Sequence, residues 1–283
     1  MPESAAPELS VESVCPRCEG RGWIVRRDGG AGTAEPCACR EVGRAERRLA
    51  ATGIPPRYLG CTLDKFSLRG RPAAATEQLV AARKLAEDYV EGFLTEEGFR
   101  QKGLLFIGPP GSGKTHLAAA LLALLVGQYA VRGRFVDFTS LIHQIQSTFD
   151  PSSPESKHEV LDPVIGADVL VLDELGAQKP TPWVQDILYL VINTRYTRRL
   201  PTIFTTNYRL SGEAAKKPRR VSEYEEFGRR DDEAARPTLA DRLSPVLISR
   251  LCEMTDTVLL TAVTDYRTLH GPGRVKPKPL APA

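Results

Sequence analysis

A parallel α/β sheet covered by helices, preceded by a small cysteine-bearing head, is the architecture this sequence predicts, and three observations carry it. Between about residues 54 and 267, short apolar or β-branched runs alternate with longer helical patterns, as in successive βαβ units. One run passes through a glycine-rich turn into a long apolar helix, KGLLFIGPPGSGKTHLAAALLALL (102–125), and another, ADVLVLDELG (167–176), ends on adjacent carboxylates. Residues 1–50 are rich in Cys, Gly and Arg and hold few large apolar side chains, too little core to fold without a staple.

Composition narrows the function classes. The 283 residues suffice for a small domain plus a medium one, and a net charge of +3 does not by itself argue for nucleic-acid binding, so any DNA contact has to be local. The start, MPESAAPELS, lacks the basic and apolar regions of a secretory signal. The longest apolar run, LAAALLALLV (117–126), is about half a bilayer span and reads as a buried helix, so a cytoplasmic protein without membrane contact is expected. In that reducing compartment six cysteines argue for metal or free thiols rather than disulfides.

The expected organisation is a head with a linker helix at 1–50, an α/β domain at 51–269, and a Pro-rich disordered tail at 270–283. Within the domain, 211–236 breaks the pattern. Its seven basic residues are matched by seven acidic ones, so it reads as a flexible charged insertion rather than a DNA patch.

The turn GPPGSGKT (Gly108, Pro109, Pro110, Gly111, Ser112, Gly113, Lys114, Thr115) has the phosphate-cradling pattern G-x-x-x-x-G-K-[ST]. Glycines let successive N–H groups converge on a phosphate, and the following helix points its positive end at the same anion. Lys114 is expected to reach the β- and γ-phosphates of ATP, Thr115 to offer its hydroxyl to Mg²⁺, and His116 to follow at the helix start. The carboxylates match this demand: Asp173 is expected on Mg²⁺, and Glu174 is expected to orient or deprotonate the attacking water. A helical stretch (184–199) with Val184, Ile187, Leu188, Val191 and Ile192 on one face leads to LPTIFTTN (200–207), whose terminal Asn207 is either a turn residue or an amide that positions water.

These segments, with GIPPRYLGCTLDKF (53–66) and SRLCEMTDTVLLTAVTDYR (249–267), resemble the DnaC/IstB-like group of AAA+ ATPases, the bacterial helicase loaders and transposition helpers. The resemblance covers most of 53–267. It implies a P-loop AAA+ sheet without a full C-terminal lid, since only a short tail follows Arg267. It also implies Asn207 as the residue sensing the γ-phosphate, Arg250 as an arginine finger acting on a neighbouring subunit, and Arg267 as a second arginine sensor. Self-association and single-stranded DNA binding follow from it, the DNA through Thr139, Ser140, Gln144, Gln146, Lys157 and His158. The adenine is expected near Tyr58 and Phe66, either of which also suits a core position.

Cys15 and Cys18, in CPRCEGRGW, and Cys37 and Cys39, in CAC, make a four-thiolate set suited to tetrahedral Zn²⁺, with a short hairpin expected over 20–32. A redox pair or unligated thiols are the alternatives. CPRCEGRG also resembles one copy of the cysteine/glycine repeat of DnaJ-type zinc modules. Cys61 and Cys252 have no such spacing and are expected as packed thiols. By analogy with helicase loaders, the resemblance assigns the head to gripping a protein, the replicative helicase, with single-stranded DNA as the alternative; a helper that delivers a transposase is the second reading of the same motor. An adaptor that binds nucleotide without hydrolysing it is the reading from another class.

Overall fold

The alternating segments resolve into a five-stranded parallel sheet with helices on both faces. The computed structural model describes residues 17–18, 23–26, 33–67, 73–150, 156–178, 181–210, 237–261 and 265–266. The chain divides into two units, Met1–Arg48 and Leu49–Ala283.

In the first unit, β1 (Trp23–Arg26) pairs antiparallel with β2 (Thr33–Pro36), so a hairpin forms, but its second strand lies just past the 20–32 stretch expected to hold it. A helix, α1 (Cys39–Ala51), starts at the last cysteine of CAC, and Arg40 lies 4.3 Å over the Trp23 ring. Cys18 and Cys37 are buried, an unusual burden for so small a core.

The second unit is built on β5 (Gly103–Ile107), β6 (Gly133–Asp137), β7 (Val169–Asp173), β8 (Thr202–Thr206) and β9 (Thr255–Leu259), in the order β6-β7-β8-β5-β9. Two short strands, β3 (Leu94–Thr95) and β4 (Gly98–Phe99), form a separate hairpin. Strands β5, β7 and β8 are buried at every position because helices cover both sheet faces, which is why β5 and β7 read as nearly continuous apolar runs and β8 as a β-branched one. The two-residue period then sorts the side chains. Leu104 and Phe106 enter one core with α2 (Ala73–Glu91) and α3 (Lys114–Tyr129). Leu105 and Ile107 enter the other, with α4 (Phe138–Ser147), α5 (Lys157–Ile165), α6 (Pro182–Thr197) and α7 (Pro245–Met254).

Helix starts follow local chemistry. Asp137, Ser156, Thr181 and Ser244 each accept a backbone N–H of the first turn, with a full capping box from Ser156 and Glu159 and a proline as first residue after Thr181 and Ser244. The five apolar positions predicted for one face of α6 are all buried.

Arg195, also on α6, is fully buried and was not foreseen. Its guanidinium donates to the carbonyls of Val164, Ile165, Ala167 and Pro201 and to Thr202 Oγ1, at 2.7–3.3 Å, tying the end of α5 to the turn before β8. Burial pulls its pKa down to about 9, which leaves it charged at neutral pH.

Cys252 corrects an expectation. It is exposed, because α7 buries the face of Leu247, Leu251 and Met254 and the next residue turns to solvent. Cys61 is half-buried against the core, as expected of a packed thiol. Among the described residues no helix is long and apolar enough to cross a membrane. The insertion (211–236) and the tail (270–283) lie outside the described residues.

Candidate nucleotide site and cysteine cluster

At the C-terminal end of the sheet, β5 runs into the glycine turn and α3 leaves it. The turn is possible only because Gly111 (φ 69°) and Gly113 (φ 102°) adopt left-handed conformations. A Cβ on Gly113 would sit 2.5 Å from Phe66 Cε2, and one on Gly111 would collide with Asp265. The loop is therefore pressed on both sides by side chains from distant parts of the chain.

Lys114 Nζ donates to the carbonyls of Gly108 and Pro109 at 2.9 Å and to Asn207 Oδ1 at 2.7 Å. Asn207 thus touches the phosphate-loop lysine from the tip of β8. Thr115 Oγ1 donates to Asp173 Oδ1 at 3.0 Å, and Thr205 Oγ1 donates to the same oxygen at 2.5 Å. Burial pushes the Asp173 carboxyl up from its ordinary value, and the two hydroxyls pull it partly back. Glu174 is exposed and turns away from the strand through a left-handed backbone (φ 58°), its N–H taken by Thr205 Oγ1 at 3.0 Å.

A cavity of about 470 Å³ opens over this cluster, lined by Pro110, Gly111, Gly113, Lys114, Thr115, His116, Glu174 and Asn207. Both predicted aromatics reach it in different ways. Tyr58 is half-buried on its wall, and Phe66 is 5% exposed, wedged between Gly113 and the His116 ring at 5.5 Å. His116 Nε2 lies 2.8 Å from the Thr62 carbonyl, so it braces the loop from beside. Gly108, Pro109 and Ser112 are not on the wall. The first two hold Lys114 with their carbonyls, and the Ser112 side chain is buried beneath the turn.

The cavity also gathers Arg57, Lys65, Ser67, Thr205, Thr206 and Tyr266, none of them singled out from sequence, and Cys61, which was expected only as a packed thiol. Arg57, Cys61 and Lys65 lie inside GIPPRYLGCTLDKF, where a cation immediately before each of the two aromatics, Arg57 before Tyr58 and Lys65 before Phe66, was the available signal. Tyr266 donates its N–H to Gly111 O at 3.1 Å, which brings the segment before Arg267 against the loop, while Arg267 itself lies outside the described residues.

Arg250 is not on this wall. It lies on α7 with its guanidinium 4.9 Å from the Tyr189 ring and 5.5 Å from that of Tyr196, both on α6. Of the candidate DNA contacts, Ser140, Gln144, Gln146 and His158 are exposed while Thr139 and Lys157 are half-buried, and Ser140 Oγ is already donated to Asp137 at 2.6 Å.

In the other unit, the sulfurs of Cys18, Cys37 and Cys39 lie within 4.8 Å of one another, with Cys18 and Cys39 3.4 Å apart. A tetrahedron with ~2.3 Å zinc–sulfur bonds has an edge of about 3.8 Å, so three thiols at this spacing fit that geometry. Cys15 lies outside the described residues.

A glycine cradle at a helix N-terminus, a lysine, a hydroxyl beside a buried carboxylate and a second carboxylate define a P-loop nucleotide-binding protein on a parallel sheet. The residues fit ATP with Mg²⁺: Lys114, Arg57 and Lys65, the glycine turn, and Thr115 with Asp173 buried behind it, border a single cavity. The family described as IstB-like ATP binding protein matches residues 81–214. The phage-like element PBSX protein XkdC of Bacillus subtilis is 26% identical over 203 residues, 70% of this chain and 73% of that protein. The replicative helicase loader DnaC of Escherichia coli is 27% identical over 58% of this chain, which spans 62% of that loader's length. The crystal structure of the DnaC helicase loader superposes with a TM-score of 0.54 at 28% identity, covering 72% of this chain and 99% of that one. Over its nucleotide-binding domain the chain is similar to DnaC/IstB-like AAA+ proteins.

Proposed function

We propose that this protein is an ATPase that loads a replicative helicase onto single-stranded DNA. The observation that carries the ATPase reading is the convergence of Lys114, Thr115, Glu174 and Asn207 on one cavity, with Asp173 hydrogen-bonded to Thr115 just behind its wall. When bound, ATP supplies the phosphoryl group and Mg²⁺ neutralises its developing charge. Thr115 and Asp173 would hold the metal. Lys114, steered by Asn207, exchanges its carbonyl partners for phosphate oxygens. Glu174, solvent-facing at the cavity wall, accepts a proton from the attacking water. Arg250 acts on the nucleotide of a neighbouring subunit, so turnover depends on self-association, and Arg267 senses the nucleotide within its own chain.

The loader reading is supported by the similarity to DnaC over the motor and by the cysteine unit before it. Cys18, Cys37 and Cys39, with Cys15 as fourth ligand, hold Zn²⁺, whose binding supplies the folding energy that unit lacks. The unit grips the helicase, and the α4–α5 region contacts the DNA. The match to the IstB-like family supports a second reading, a helper that delivers a transposase.

Phosphate release from wild type and Glu174→Gln, with and without single-stranded DNA, tests hydrolysis. Equal near-zero rates with intact ATP binding would reassign the protein as a nucleotide-gated adaptor. Pull-down with Glu174→Gln held in ATP tests the partner: a helicase recovered by it and lost with Cys18→Ser supports the loader, and a transposase supports the helper.

A further inference from the structure

The carboxylates that end β7 lean on a residue of the next strand. Thr205 is 1% exposed, and its hydroxyl does two jobs at once: it accepts the Glu174 N–H at 3.0 Å and donates to Asp173 Oδ1 at 2.5 Å. A hydroxyl has one proton, so once its oxygen takes the amide, that proton is committed to Asp173. The main chain of the same residue accepts the Leu175 N–H at 2.8 Å, and Thr206 Oγ1 donates to the Leu175 carbonyl at 2.8 Å.

Backbone geometry makes the contact consequential. The β7–β8 ladder pairs Leu170 to Leu172 with Thr202 to Phe204 and stops there. Glu174 then adopts φ 58°, a left-handed conformation that costs a side-chain-bearing residue about 1–3 kcal/mol unless its surroundings hold it. Its N–H no longer points along the ladder, and the Thr205 hydroxyl is the group that receives it.

We infer that Thr205 is a positioning residue: through one buried hydroxyl it fixes the Asp173 carboxylate and the left-handed turn that aims Glu174 into the cavity. The inference rests on the ATPase reading for its catalytic consequence, while the hydrogen bonds are a property of the protein alone. Valine has the shape of threonine without the hydroxyl, and serine keeps the hydroxyl without the methyl.

Three readouts separate the outcomes. In the nucleotide-free protein, amide exchange at Glu174 followed by NMR is expected to speed up about tenfold or more in Thr205→Val and to stay near wild type in Thr205→Ser. Fluorescent-nucleotide titration is expected to give a Kd within about threefold of wild type for both variants. The kcat for phosphate release is expected to fall about 30-fold in Thr205→Val, the equivalent of about 2 kcal/mol, and to be mostly retained in Thr205→Ser. Unchanged Glu174 exchange in Thr205→Val overturns the inference, as does a serine variant as impaired as the valine one, since that would make the methyl group responsible. If wild type itself has no turnover above Glu174→Gln, the ATPase reading fails and the amide exchange still decides whether Thr205 holds the turn. If Thr205→Val does not fold, Thr205→Ala and Thr205→Ser supply the same comparison at the Glu174 amide.

Discussion

Two glycines sit at opposite ends of α3, and the same change to alanine is expected to act on them with opposite sign. Gly113 caps the start of the helix at φ 102°, ψ 8°, and a Cβ there would lie 2.5 Å from Phe66 Cε2. Non-glycine residues in such a conformation cost about 1–3 kcal/mol, and Phe66, 5% exposed between Gly113 and His116, has little room to yield. The upper value, about 3 kcal/mol, is the reasonable one. If the loop escapes the strain by changing shape, nucleotide binding must restore that shape, and 3 kcal/mol corresponds to about 100-fold in Kd. Gly127 lies inside the helix with nothing within 4 Å of its would-be Cβ, so alanine there is expected to stabilise the protein by about 0.5–1 kcal/mol with nucleotide affinity unchanged. Urea unfolding and fluorescent-nucleotide titration of both variants give the two numbers. Wild-type affinity and stability in Gly113→Ala would refute the reasoning, and so would a destabilised Gly127→Ala.

Three other outcomes follow from contacts described above. Purified protein is expected to carry about one zinc per chain by metal analysis, lost in Cys37→Ser; metal-free wild type with an intact far-UV spectrum after chelation would speak against the site. Arg195→Met strands four carbonyl partners in the interior and is expected to cost about 3 kcal/mol in urea unfolding, with Arg195→Lys recovering only part, because an ammonium cannot fork to both turns. The hydrogen bonds and charge of Arg132 hold the Asp168 carboxyl below its ordinary value. A depressed folded pKa contributes stability above the ordinary carboxylate range and loses it as pH falls through the folded value, so the stability gap between wild type and Asp168→Asn is expected to be under about 1 kcal/mol at pH 7 and to close in acid.

The fold was legible in sequence where burial on both faces forces an apolar or β-branched run: VLVL before Asp173 and TIFTT before Asn207 read as central strands. The phosphate loop and the two carboxylates were legible for a related reason, because their chemistry demands fixed residue types at fixed spacing. The rest of the cavity was not. Tyr266 reaches it because β9 pairs with β5 in register from Gly103 with Thr255 to Ile107 with Leu259, a tertiary fact with no local pattern. Arg195 was hidden differently. It falls on the helix face that the apolar pattern assigns to the core, where a lone arginine looks like an exception until its carbonyl partners, some 30 residues upstream, are in place. Thr205 looked like one more β-branched strand residue, and only the end of the ladder shows where its hydroxyl goes.

The strand order has a mechanical corollary. The loop strand β5 and the carboxylate strand β7 are not neighbours, since β8 runs between them. With strands about 4.8 Å apart, β5 and β7 stand roughly 10 Å from each other across the sheet, and Thr115 at the start of α3 closes that gap directly onto Asp173. The strand between them, β8, also touches both at its tip, through Asn207 on Lys114 and Thr205 on Asp173. Like the beam of a balance, this one strand carries a contact to the lysine and a contact to the carboxylate, so a tilt of its tip would move both.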